Sequence, residues 1–106
     1  MFWEGLKMAK KARAIIINEK DNVATALERI EAGATVSVER QGRTEQINLP
    51  STVPTGHKFA LCEIGAGEYV VKYGEPIGQA VVRIGSGEHV HVHNIVSHGK
   101  KIKGAQ

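Results

Sequence analysis

The chain has 106 residues, 42% hydrophobic and 24% charged, with a formal net charge of +3. These values describe one folded domain and exclude a disordered, coiled-coil or collagen-like chain. Residues 1–13 and 100–106 together carry a net charge of +6 and the body, 14–99, carries −3, so the cations sit on the ends and not on a folded face that could meet phosphate, which argues against a nucleic-acid binder.

Aromatics make up 5% of the chain, so the core must come from Val, Ile, Leu and Ala. Twelve glycines among short Val/Ile-rich runs point to short strands joined by tight turns. A domain this small has little room for a closed substrate pocket, so an enzyme role calls for a second subunit or a homo-oligomeric interface. The single cysteine, Cys62, rules out a disulfide framework within the chain and fits a reducing cytoplasm. Its alternating apolar surroundings read as core. The longest early apolar run, Ala14-Ile15-Ile16-Ile17, is far too short to span a bilayer.

Residues 1–12 read as a flexible extension, with Met8 an equally sensible start and Phe2 and Trp3 in an arm or docked on a partner. Ala14 to Asn18 reads as a strand. Asp21 is placed to cap a short helix with an apolar stripe of Val23, Ala26, Leu27 and Ile30, and Gly33 stands at its C-cap position. Val36 and Val38 alternate with polar residues, Gln41-Gly42 signals a turn, and Thr44–Leu49 returns as a strand. Pro50, Pro54 and Gly56 bracket a loop. Strands follow around Phe59 and Leu61, at Val70-Val71, over Ala80–Ile84 and over His89–Ile95. Residues 97–106 form a basic tail in which His98 is solvated. The sum is a mostly-β single domain over 13–96 with one or two short helices.

One pattern recurs. Ile-x-x-Gly-x-x-Val occurs as Ile30/Gly33/Val36, Ile64/Gly67/Val70 and Ile84/Gly87/Val90. It encodes an apolar anchor, a turn that takes positive φ, and a strand entering the core. The unequal spacings indicate one turn used three times and not a repeat architecture. The Gly-x-Gly pairs at 65/67 and 85/87 are not nucleotide fingerprints, because Val70 replaces the third glycine and a strand follows.

The chemistry concentrates in Gly87-Glu88-His89-Val90-His91-Val92-His93-Asn94. On a strand, the three histidines share one face about 7 Å apart, at roughly 3.3 Å per residue, while Val90 and Val92 enter the core. Two imidazoles at i and i+2, here His91 and His93, are a common metal pair and a natural proton shuttle. His89 lies nearer the turn, and Asn94 supports the strand end. Gly56-His57-Lys58 adds a proton carrier and an anion-binding charge. Val71-Lys72-Tyr73-Gly74 adds a second amine for a carboxylate and a phenol that donates a hydrogen bond. His57, Lys72, His91 and His93 are thus the catalytic candidates. Lys58, Tyr73 and Asn94 are the substrate-binding candidates.

These strings occur in order with Asp21-Asn22-Val23-Ala24-Thr25-Ala26-Leu27, Pro54-Thr55-Gly56-His57-Lys58-Phe59-Ala60-Leu61 and Pro76-Ile77-Gly78. Together they resemble the N-terminal SAF-type domain of the altronate dehydratase/galactarate dehydratase family, over about residues 13–95. The resemblance implies a β-clip fold, β-elimination of water from a sugar acid, and a divalent metal such as iron or manganese. Family enzymes usually carry a large second domain, so it also implies a large dehydratase-type catalytic subunit as partner. The alpha subunit of sulfolactate sulfo-lyase is a small chain of the same kind and is the alternative reading. A non-catalytic module that binds sugar acids or assists assembly is a further one.

Overall fold

A computed structural model describes residues 12–97. The expected extension, apart from Ala12, and the tail beyond Ser97, with His98, lie outside the described residues. Nine short strands follow in chain order: β1 Ala14–Ile15, β2 Val23–Ala26, β3 Thr35–Arg40, β4 Arg43–Asn48, β5 Lys58–Ala60, β6 Tyr69–Lys72, β7 Glu75–Ala80, β8 His89–Val90 and β9 Ile95–Ser97. All pairings are antiparallel, in a four-stranded sheet β1-β2-β5-β8, a hairpin β3-β4, and a three-stranded sheet β6-β7-β9. The mostly-β expectation holds. No helix occurs among the described residues, so none is long and apolar enough to cross a membrane.

The helix expected after Asp21 is strand β2. Its backbone is paired on both sides, Ala26 to Ala14 of β1 and Val23 to Ala60 of β5. Val23, Ala24 and Ala26 are all buried. A short strand covered on both faces has little polar alternation, and three apolar residues, Val23, Ala24 and Ala26, followed by Leu27 and Ile30 then mimic a helical stripe. Asp21 caps no helix; its carboxylate accepts the Asn18 and Gly74 amides at 3.0 and 2.8 Å.

The recurring turn is the organising device of the fold, and it occurs four times. Gly33, Gly56, Gly67 and Gly87 all have φ between 83° and 90°. In each copy the glycine amide reaches a distant carbonyl, that of Leu49, Ala26, Ala80 and Ala60 respectively. In each, the next residue's amide closes the turn onto a carbonyl three back. The fourth copy, Val53/Gly56/Phe59, escapes the sequence pattern because Val replaces Ile and Phe replaces Val. The anchors pair: Ile30 bridges Val53 and Ile64 bridges Ile84 through reciprocal amide–carbonyl bonds of 2.8–2.9 Å. All four anchors and the residues ending each copy (Val36, Phe59, Val70, Val90) are at most 2% exposed. Among the described residues the core is therefore aliphatic, as expected, around one aromatic, Phe59.

Three other expectations are corrected. The strand placed at Ala80–Ile84 runs instead from Glu75 to Ala80, leaving Val81 and Val82 half exposed. The strand placed over His89–Ile95 stops at Val90, because the Asn94 side chain folds 91–94 into a turn, and Val92 is 79% exposed instead of buried. Cys62 is exposed, since the backbone bends after Leu61 toward the Ile64 anchor.

Candidate functional site

Pairing of β5 with β8 builds the site. Phe59 lies opposite His89 and Lys58 opposite Val90, so the turn ending at Gly56 delivers His57 beside the histidines after Gly87. His57 Nδ1 and His89 Nε2 are 2.8 Å apart and share a hydrogen bond. The His57 and His91 rings stack with centroids 4.2 Å apart, and His89 lies 5.0 Å from His57 and 5.6 Å from His91. One ring nitrogen from each of the three falls within 4.8 Å of the others. His93 stands outside this group, 5.3 Å from His89 by ring centroids. The spacing in sequence points to the pair His91/His93; the fold gathers His57, His89 and His91 instead, with the His57 ring nearest to both of the others.

The 91–94 turn replaces the expected strand yet keeps the rings together. Asn94 is 5% exposed; its Oδ1 accepts the His91 amide at 3.0 Å and its Nδ2 donates to the His89 carbonyl at 2.9 Å. Both ends of the amide are used inside the turn, so Asn94 supports the histidines from below.

The electrostatics oppose protonation. Burial, then the neighbouring His57, His93, His91 and Lys58, push His89 down to about 4. Burial and then His57, Lys58 and His93 lower His91 as well. Neutral imidazoles are what metal coordination and proton acceptance require. Lys58 is half-buried and is lowered from its ordinary value by burial and then by Lys72, which places the two amines in one field. Lys72 Nζ lies 5.0 Å from the centre of the Tyr73 ring, and Tyr73 is 61% exposed at the hairpin tip between β6 and β7. The sequence candidates His57, Lys58, Lys72, His91 and His93 thus join one basic region with His89, while Tyr73 borders it through Lys72.

Three imidazoles with nitrogens within 4.8 Å of one another offer the donor set of a divalent first-row ion. Metal–nitrogen bonds of ~2.1 Å need nitrogens ~3.0–3.4 Å apart, within a few tenths of an ångström of the His57–His89 approach. His57, His89 and His91 are the residues that would hold it.

A small antiparallel domain of glycine turns that brings imidazoles and amines together defines the class: a small β module. The family model for the altronate/galactarate dehydratase SAF domain matches residues 12–98. The chain belongs to that family. It is 48% identical over 80 residues to an altronate dehydratase of Escherichia coli, covering 76% of this chain and 15% of that protein. It is 40% identical over 80 residues to an altronate dehydratase of Bacillus subtilis, again 15% of that protein. It is 37% identical over 84 residues to the alpha subunit of a (2R)-sulfolactate sulfo-lyase of Chromohalobacter salexigens, of which it covers 89%. The chain therefore spans about one seventh of the dehydratases it matches and nearly all of the sulfo-lyase subunit.

Proposed function

We propose that this chain is the small subunit of a lyase that eliminates water from a sugar acid of the altronate or galactarate type, in the cytoplasm, with a large dehydratase-type chain closing the site. The observation that carries the reading is the convergence of His57, His89 and His91 beside Lys58 and Lys72, in a domain matched to altronate dehydratases. In β-elimination a base removes the proton next to the carboxylate, and hydroxide leaves from the neighbouring carbon with a proton, as water. Lys58 and Lys72 bind the carboxylate. Tyr73 donates to a substrate hydroxyl. His93, which stands outside the trio, serves proton transfer, joined by His57 and His91 where no metal occupies them, and Asn94 holds their turn. Bound at His57, His89 and His91, iron or manganese would stabilise negative charge on the substrate oxygens.

A second reading is favoured by one observation: the chain covers 89% of the sulfolactate sulfo-lyase alpha subunit. There the same residues would serve an elimination in which sulfite leaves.

The test is co-expression with a large dehydratase-type chain and assay on D-altronate, galactarate and (2R)-sulfolactate, with iron or manganese. We expect no turnover by this chain alone and turnover by the pair. The preferred substrate separates the two readings. Equal turnover by the large chain without this one would make the domain a non-catalytic binding or assembly module. Changing His91 and His93 together to Gln should cost at least ~100-fold in rate, the scale of a lost acid–base group.

A further inference from the structure

Lys58 and Lys72 come from different sheets, β5 and β6, and the charge of Lys72 acts on Lys58, so the two repel each other. Lys72 also stands next to a two-residue hairpin tip, Tyr73-Gly74, both at positive φ (60° and 74°). A tip of this type fixes the hairpin's own twist but not where the hairpin lies against β5. Two neighbouring residues supply the tie. The Asn22 side chain clasps β6, donating from Nδ2 to the Tyr69 carbonyl at 3.0 Å and accepting the Val71 amide at Oδ1 at 2.8 Å. Its backbone joins both elements, the amide bonding the Val71 carbonyl at 3.2 Å and the carbonyl accepting the Leu61 amide just beyond β5 at 2.8 Å. Asp21 is 2% exposed. One carboxylate oxygen accepts the Gly74 amide at the tip and the other accepts the Asn18 amide in the β1–β2 connection. Arg40 donates to the Asp21 carbonyl at 2.9 Å and fixes this residue from the β3–β4 hairpin.

A buried carboxylate that meets only backbone amides is a costly way to close a loop. An aspartate nevertheless suits this position, because both oxygens must accept at once. An asparagine would turn an NH₂ against one of the two amides.

We infer that Asp21 and Asn22 are positioning residues that tie the β6–β7 hairpin to the end of β5 and hold Lys72 beside Lys58 as a two-amine seat for the substrate carboxylate. The seat rests on the function proposed above; the tie itself does not.

The experiment uses the full chain with isotopically labelled lysine. Tyr73 should shift the Lys72 ε-methylene protons upfield, because Nζ lies 5.0 Å from the ring centre. Asp21→Ala should abolish that shift and weaken sodium D-altronate binding as much as Lys72→Met does, about 5- to 10-fold for one lost charged contact. Amide signals of β5 and β8 should stay in place. Asp21→Asn keeps the shape and one acceptor, so it should retain part of the shift and part of the affinity; it also decides the matter if Asp21→Ala does not fold. Because Lys72 and Tyr73 ride on one hairpin, that shift reports the tip itself; wild-type Leu61 and Gly74 amide signals together with wild-type altronate affinity in both variants overturn the tie. Altronate binding unchanged in Lys72→Met overturns the amine seat, and with it the carboxylate role proposed for Lys72, while the Leu61 and Gly74 amides still report on the tie.

Discussion

The turns Ile64–Val70 and Ile84–Val90 share the string Ile-Gly-x-Gly-Glu-x-Val, and their anchors are bonded to each other. Backbone geometry is the same in both: Gly67 and Gly87 have φ of 90° and 85°, and their amides reach the carbonyls of Ala80 and Ala60 at 2.8 Å. Their surroundings differ. A Cβ on Gly67 would meet nothing within 4 Å, whereas one on Gly87 would lie 1.9 Å from the Asn48 carbonyl oxygen. The first turn faces open space and leads into the strand that carries Lys72. The second is pressed against the end of β4 and leads into His89 and His91. The same local device serves as a connector in one place and as a buttressed mount for the imidazoles in the other.

The largest expected effect breaks that comparison directly. Gly67→Ala carries only the left-handed backbone cost, ~1–2 kcal/mol. Gly87→Ala carries the same cost plus a collision with backbone that cannot rotate away, together ~4 kcal/mol or more. That is a large share of the stability of a small domain. Urea unfolding should show a modest shift in midpoint for the first variant. The second should be largely unfolded, or folded with His57 and His89 no longer in contact by NMR. Equal midpoints would mean that the Asn48 carbonyl does not press on the mount.

Next in size is the far side of the mount. Asn94→Ala strips partners from the His91 amide and the His89 carbonyl, at ~1–3 kcal/mol for buried groups left unpaired. Asn94→Asp keeps the acceptor for the His91 amide and loses the donor, so it should fall between. Calorimetric titration with Mn²⁺ should weaken in the same order. Wild-type affinity in Asn94→Ala would show that the three imidazoles are held by their own stacking.

Much of this was legible in the sequence, and the gaps have definite causes. The three Ile-x-x-Gly-x-x-Val copies, the hairpin at Gln41-Gly42 and the histidine-rich segment all follow from local pattern. The membership of His57 in the cluster does not, because it depends on a pairing between residues 32 positions apart. One signal could have revealed it. Val53-Pro-Thr-Gly56-His57-Lys58-Phe59 is the same turn with a histidine one position after its glycine, as His89 is two positions after Gly87. Strand β2 reads as a helix in sequence because burial on both faces erases alternation. The histidine strand looks longer in sequence than it is, because the alternation continues past the point where Asn94 turns the chain.

A smaller effect concerns acid. His89 titrates near 4 in the folded protein against ~6.5 in an unfolded chain. The unfolded state therefore takes up the proton first. Stability from this group is complete above about pH 6.5, declines as the pH falls toward 4, and is level below that. His91 acts in the same direction. His89→Gln should flatten this part of the pH profile in urea melts at pH 4.5 and 7.0 with chelator present. A profile as steep as wild type would assign the acid sensitivity elsewhere.

The smallest effect tests whether surface charge adds to the link between the two turns. Arg83 and Glu63 precede the bonded anchors Ile84 and Ile64, and their side chains pair at 2.6 Å. Each raises or lowers the other in the expected sense, Glu63 down and Arg83 up, through the hydrogen bond first and the charge second. Position and distance both suggest a brace across the anchors. Exposure argues otherwise: the two side chains are 62% and 58% accessible, so water and salt compete for both partners and the entropy of two long side chains opposes the contact. The anchors are already joined by two buried backbone bonds of 2.8 Å, which solvent does not reach. Glu63→Gln should therefore lower Tm by less than about 2 °C, and adding salt to wild type should do no more. The same substitution should leave the His57–His89 contact intact in NMR spectra. A drop comparable to that of Gly67→Ala would show that the two turns are braced from outside as well as through their backbones, and that the mount for the imidazoles extends to this pair.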